Sequence, residues 1–200
     1  MTIKNIIFDF GGVLIDWNPR YLYRNVFPNE TEMEIFLKNI CTTEWNTLQD
    51  AGRPFEIAVK ELSALHPEYQ REIKLFYTGW PEMVGGEIHK NVSQVYNLKD
   101  KYRLFGLTNW SAETFPVVFN KYPFFKELEG IVVSGEEKLV KPDRKIYETL
   151  LIRYNLNAKE CLFIDDNDAN IQTAKSLGFY TIHLVENTDL EAELKRLELL

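Results

Sequence analysis

Positive charge is in short supply in this sequence. Its 23 lysines and arginines are outnumbered by 30 aspartates and glutamates, a net −7 over 200 residues. No basic run is present, so a nucleic-acid or anionic membrane surface is the wrong partner, although a local basic pocket is still allowed. Cysteine is scarcer still. Cys41 and Cys161 stand far apart with no C-x-x-C pair, which excludes a disulfide framework and fits a reduced, cytoplasmic protein. His66, His89 and His183 lack the spacing of a zinc site. There is neither a basic start followed by a short apolar stretch nor an uninterrupted apolar span of about 18 residues, so export and membrane insertion are not expected.

What is present is enough to fold. Hydrophobic residues make up 45% of the chain and charged ones 26%, enough for one good core with an accessory lobe and too apolar for disorder. Five short apolar runs read as strands: residues 6–10, 103–107, 130–134, 161–164 and 179–184. Strands apolar on both faces suit a parallel sheet covered by helices. Helical stripes separate them. Residues 111–122 follow Ser111 as a cap, residues 143–154 follow Asp143, and residues 168–177 end at Gly178; Leu190, Leu194 and Leu197 mark a last helix. This alternation predicts an α/β fold, a doubly wound, parallel, five-stranded Rossmann-like sheet.

Residues 17–90 show helical patterns only: one starting at Asn18-Pro19, one through Met33, Phe36, Leu37 and Ile40, and one through Phe55, Ala58, Val59, Leu62 and Leu65. Such a block is too large for an ordinary crossover. It reads as a small helical cap inserted over the carboxyl edge of the sheet, where open α/β folds bind ligands. The expected division is a core of residues 1–16 and 91–200 and a cap of residues 17–90.

The chemistry concentrates at strand ends. "IIFDFGG" ends its apolar run on Asp9, and "CLFIDDND" ends on Asp165-Asp166. In a parallel sheet these ends face one way, so the three carboxylates can meet. Unpaired, they would raise one another's pKa. A hard divalent cation such as Mg²⁺ resolves the conflict. Each cluster alone could equally be a helix cap; together they favour a site. "LFGLTNWSAE" places Thr108-Asn109 at another strand end before a helix, where an anion can sit. "KLVKPDRK" adds Lys141, a point charge suited to a phosphate oxygen.

Taken in order, these four pieces resemble the haloacid dehalogenase (HAD) superfamily, specifically its capped, phosphatase-like members, over almost the whole chain. The resemblance implies that Asp9 attacks phosphorus and carries an aspartyl-phosphate. Thr108, Asn109 and Lys141 would bind the phosphate, with Lys141 also in the catalytic set. Mg²⁺ would be held by Asp9, Asp166 and the Gly11 carbonyl, with Asp165 a ligand through water or a supporting partner. The family's phosphatases usually carry Asp-x-Asp, and the second acid protonates the leaving group. Here that position is Gly11, so the carbonyl survives and the carboxylate does not. Water or a cap residue could supply the proton instead. The implied substrate is a small phosphorylated metabolite, with a sugar phosphate in view, and Trp17, Arg20, Trp45 and Arg53 are the cap residues to examine for it. Two alternatives stay open: a metal-independent 2-haloacid dehalogenase using Asp9, since that branch also lacks the second aspartate, and a phosphate-binding relative without turnover. The oligomeric state is not readable.

Overall fold

The computed structural model describes residues 2–200. Seven strands appear in chain order: β1 (Asn5–Phe8), β2 (Ile15–Trp17), β3 (Val84–Glu87), β4 (Arg103–Thr108), β5 (Gly130–Val133), β6 (Cys161–Asp165) and β7 (Tyr180–His183). Five of them form one sheet in the order β5-β4-β1-β6-β7, and every pairing is parallel. The doubly wound α/β reading therefore holds.

The helices are α1 (Arg20–Tyr23), α2 (Glu30–Asn39), α3 (Thr43–Asp50), α4 (Phe55–Leu65), α5 (Gln70–Thr78) and α6 (His89–Leu98), then α7 (Phe115–Lys121), α8 (Ser134–Glu137), α9 (Arg144–Arg153), α10 (Asp168–Ser176) and α11 (Leu190–Arg196). Alternating residues of the central strand divide the core. Ile6 and Phe8 join the apolar cluster that holds Val92 and Val95 of α6 and Leu190 and Leu194 of α11. Ile7 joins the opposite cluster, with Ile146 and Leu150 of α9 and Ile171 of α10. The apolar run Ile6–Phe8 of β1 thus serves two faces, each closed by helices.

Two local expectations are met by capping chemistry. Asp143 caps α9 by accepting from the Lys145 N–H, and Gly178 takes a φ of 93° just beyond α10. A third is corrected. Ser111 does not cap a helix over 111–122: its Oγ accepts from Glu113 N at 3.2 Å in a turn, and α7 begins four residues later.

The region between β1 and α6 is not purely helical. Ile15–Trp17 and Val84–Glu87 pair antiparallel as a two-stranded ribbon, so β3 corrects the all-helical reading of residues 17–90. Its "VGGE" sequence has no apolar alternation to betray it. The expected boundaries also fall inside elements, at Trp17 within β2 and at Lys90 within α6. Between the ribbon strands, helices α1 to α5 pack around aromatic rings, with Tyr23–Phe36 centroids at 5.0 Å and Trp45–Phe76 at 5.1 Å. Phe55 N donates to Glu113 Oε1 at 2.7 Å, and Trp80 meets Trp110 edge-on at 5.6 Å, joining this region to the loop after β4.

Candidate active site

Register sets the site. Phe8 lies opposite Ile164 on β6 and Gly106 on β4. Asp9 and Asp165 each follow one position later and are level, while Thr108 lies two beyond Gly106. Asp9 N donates to Ile164 O at 2.9 Å, carrying the pairing one residue past the strand.

Lys141, its side chain wholly buried, bridges the two acids. Its Nζ lies 2.9 Å from Asp9 Oδ1 and 2.7 Å from Asp165 Oδ2. Asp165 is completed by Asn167 N at 2.8 Å and Asn170 Nδ2 at 3.0 Å, both on Oδ1. Its oxygens are thus committed, and it holds Lys141 in place. Asp9 Oδ1 also accepts from Phe10 N at 2.7 Å. Among the described residues the hydrogen bonds to this carboxylate fall on Oδ1, which leaves Oδ2 for a ligand.

The electrostatics follow from enclosure. Burial pushes the Asp9 carboxyl up to about 7, against the pull of Lys141 and with help from Asp165 and Asp166. Burial and Asp165 also raise Asp166. Burial opposes the Lys141 charge, but Asp9 and Asp165 outweigh it and hold the ammonium above its ordinary value. Asp9, Asp165 and Asp166 each place one carboxylate oxygen within 4.8 Å of the others. That hard oxygen set fits Mg²⁺. Beside it the Thr108 hydroxyl is buried with no partner, a donor suited to an anion's oxygen. Gly12 lets Asp166 approach: its φ is 74°, and a β-carbon there would strike the Asp166 carboxylate.

The other expected residues separate. Asn109 braces the lysine loop from both sides, its Nδ2 donating to Lys141 O at 2.9 Å and its Oδ1 accepting from Lys141 N at 2.8 Å. Trp17 and Gly11 line one cavity of about 100 Å³. Arg20 lines a neighbouring one and is clamped by Glu34, with Nη2 to Oε2 at 2.6 Å. Arg53 lies over the Trp45 ring at 5.9 Å and donates to Gln49 Oε1 at 2.7 Å, so it braces α3. Asp16, close to Asp9 in sequence, accepts from Tyr21 Oη at 2.7 Å.

Three residues escaped the sequence reading. Asn170 lies one turn into α10, and an inward amide there has no motif of its own. Ser134, first residue of α8 just after β5, ties the loop after β4 to the end of α3: its Oγ accepts from Trp110 N at 2.9 Å and donates to Asp50 O at 2.5 Å. Asp50 is the third. An acid on the last turn of a helix, where the dipole disfavours it, was the signal available in "TLQDAGR".

The family model for haloacid dehalogenase-like hydrolases matches residues 3–178. Sesquiterpene phosphatase astK of Aspergillus oryzae is 24% identical over 197 residues, covering 98% of this chain and 97% of that protein. D-ribitol-5-phosphate phosphatase of Bacteroides thetaiotaomicron is 24% identical over 211 residues, covering 96% and 97%. Among solved structures, the magnesium complex of a HAD family enzyme from Bacteroides thetaiotaomicron superposes with a TM-score of 0.77 at 21% identity, over 98% of this chain and all of that one (100%). No helix among the described residues is long and apolar enough to cross a membrane.

Proposed function

The chain belongs to the haloacid dehalogenase-like hydrolases, and from that premise we propose a Mg²⁺-dependent hydrolase of a small phosphomonoester, with sugar phosphates as the favoured class. One observation carries the reading: Lys141 is buried between Asp9 and Asp165 beside a third carboxylate, all three acids sharing one 4.8 Å cluster. Lys141 offsets Asp9 and Asp165, but Asp166 makes no ion pair among the described residues, which favours a metal cation over a metal-free dehalogenase. Relatives named as phosphatases over nearly their full length support it.

In this mechanism the Asp9 carboxylate attacks phosphorus while the bond from phosphorus to the ester oxygen breaks. The product is an aspartyl-phosphate on Asp9, which water then hydrolyses. Lys141 and Thr108 face the phosphoryl oxygens, and Asn109 fixes Lys141 through its main chain. Asp9, Asp166 and the Gly11 carbonyl would hold Mg²⁺, with Asp165 anchoring the lysine beside them. The ion, when bound, supplies charge neutralisation for phosphoryl transfer. Residues 17–90 act as the cap that selects the alcohol, Trp17 lining its cavity.

The test is phosphate release from a panel of sugar and polyol phosphates, with Mg²⁺ and with chelator, beside halide release from a 2-haloacid. Chelator-sensitive phosphate release is expected, and Asp9→Asn should lower it by on the order of 10⁴-fold or more while the circular dichroism stays native. Metal-independent halide release would move the chain to the dehalogenases. Phosphate binding without any turnover would leave a binding relative.

A further inference from the structure

Gly11 stands at the position where the resemblance implies a proton-donating acid in most, though not all, capped phosphatases of the family, and the space beside it is open. A β-carbon built on Gly11 meets no atom within 4 Å. The room is not refilled by packing; it opens into the cavity of about 100 Å³. That is well above the ~10–15 Å³ needed for one water. Trp17, Trp80 and Trp110 line it, and Asp50 is the one acidic residue that does.

We propose that Asp50, carried to the Gly11 cavity by α3, is the catalytic proton donor to the leaving oxygen. This assignment rests on the phosphatase reading above and names a residue for a role that reading leaves empty. Asp50 is held in register with the sheet edge. Its main-chain oxygen accepts from Ser134 Oγ at 2.5 Å, and the same hydroxyl accepts from Trp110 N, one residue beyond Asn109. Asn46 Nδ2 donates to Asp50 Oδ2 at 3.1 Å, orienting the carboxyl within the cavity that Asn46 also lines. Of the other acids nearby, Asp165 is engaged by Lys141 and Asp16 by Tyr21, while Asp166 belongs to the carboxylate cluster with Asp9.

Its environment also suits a proton carrier. Burial raises Asp50 to about 7, the Ser111 main chain opposes this, and the charge of Asp9 adds to it. A donor near neutrality is the most effective one. The balance closes: Asp9 displaces the alkoxide, which takes the proton from Asp50 and leaves as the alcohol. Water then attacks the aspartyl-phosphate and returns a proton to Asp50, releasing inorganic phosphate and free Asp9.

A proton donor matters in proportion to how poor the leaving group is, and that distinguishes it from a binding or structural residue. The experiment compares ribitol 5-phosphate, a poor leaving group, with p-nitrophenyl phosphate, an activated one, in wild type, Asp50→Asn and Gly11→Asp/Asp50→Asn. For Asp50→Asn, kcat on ribitol 5-phosphate should fall by about 10²–10⁴-fold with KM little changed, while p-nitrophenyl phosphate loses only a few-fold. The double variant, with an acid restored in the vacant space, should recover at least tenfold on the poor leaving group. Equal loss on both substrates with a native dichroism spectrum, or a raised KM with kcat intact, would overturn the assignment. If Asp50→Asn fails to fold, Asp50→Ser carries the same comparison. If wild-type protein releases phosphate from neither substrate, the phosphatase reading fails and this assignment with it.

Discussion

The two walls of the candidate site are built differently. On the sheet side, Asp165 and Lys141 are buried and joined to each other, to Asn167 and to Asn170 by short bonds. Their placement follows from parallel register, which cannot slip without turning every strand residue to the other face. On the insertion side, Trp17, Asn46 and Asp50 are only half-buried. Two tethers stand out there, the Asn46 side chain and the Ser134 hydroxyl. The sheet wall suits chemistry that must not move. The other wall brings Asp50 from a helix of the insertion, and its place depends on those two tethers instead of on strand register.

Breaking the sheet wall should have the largest effect. Lys141→Met leaves Asp9 and Asp165 buried without their cation, and loss of one partner of a buried pair typically costs about 3–5 kcal/mol. Denaturant unfolding measures it; a loss under about 1 kcal/mol would mean the wall is not the rigid unit described. Ligation is the next probe. Mg²⁺ at a hundredfold its Kd should stabilise the protein by about 2.7 kcal/mol, and Asp166→Ala should abolish that gain in a thermal melt. An undiminished gain would place the ion elsewhere.

The smallest effect lies on the insertion wall, and its sign is informative. Asp50 is raised to about 7 in the fold, against about 3.9 in an unfolded chain. Between those values the native state holds a proton that the unfolded state has lost, so stability falls as pH rises toward 7. Asn carries no such charge. Asp50→Asn should therefore melt higher than wild type by a few degrees at pH 8 and show little difference at pH 4. A gain of equal size at both pH values would point to packing instead of charge.

Much of the sheet is legible in the sequence. Runs such as "IIF" (6–8) and "CLFI" (161–164) are apolar at every position, a pattern with few other readings when helices alternate with it. The ribbon is not. β2 has three residues and β3 carries Gly85-Gly86, so neither shows period-two alternation; what pairs them is the chain's return after the helices. Helix α3 was hidden for a related reason: its buried positions are Trp45 and Gln49, too few for a stripe. Among the site residues, Asp9, Lys141 and Asp165 sat in recognisable strings. Arg20 and Arg53 looked equally suited to a ligand, yet their guanidinium groups are turned to Glu34 and to Gln49. Which partner a surface arginine meets is decided by elements distant along the chain.

The sequence by itself determined the parallel sheet and the acids at its carboxyl edge, because strand-end positions are local properties of apolar runs. It also recorded the missing carboxyl at Gly11. Only the tertiary structure decided that the space there stays open and that Asp50, 39 residues further along the chain, stands at its wall. That contact depends on how the inserted helices fold back over the sheet, and no local pattern encodes the distance between residues brought together only by packing.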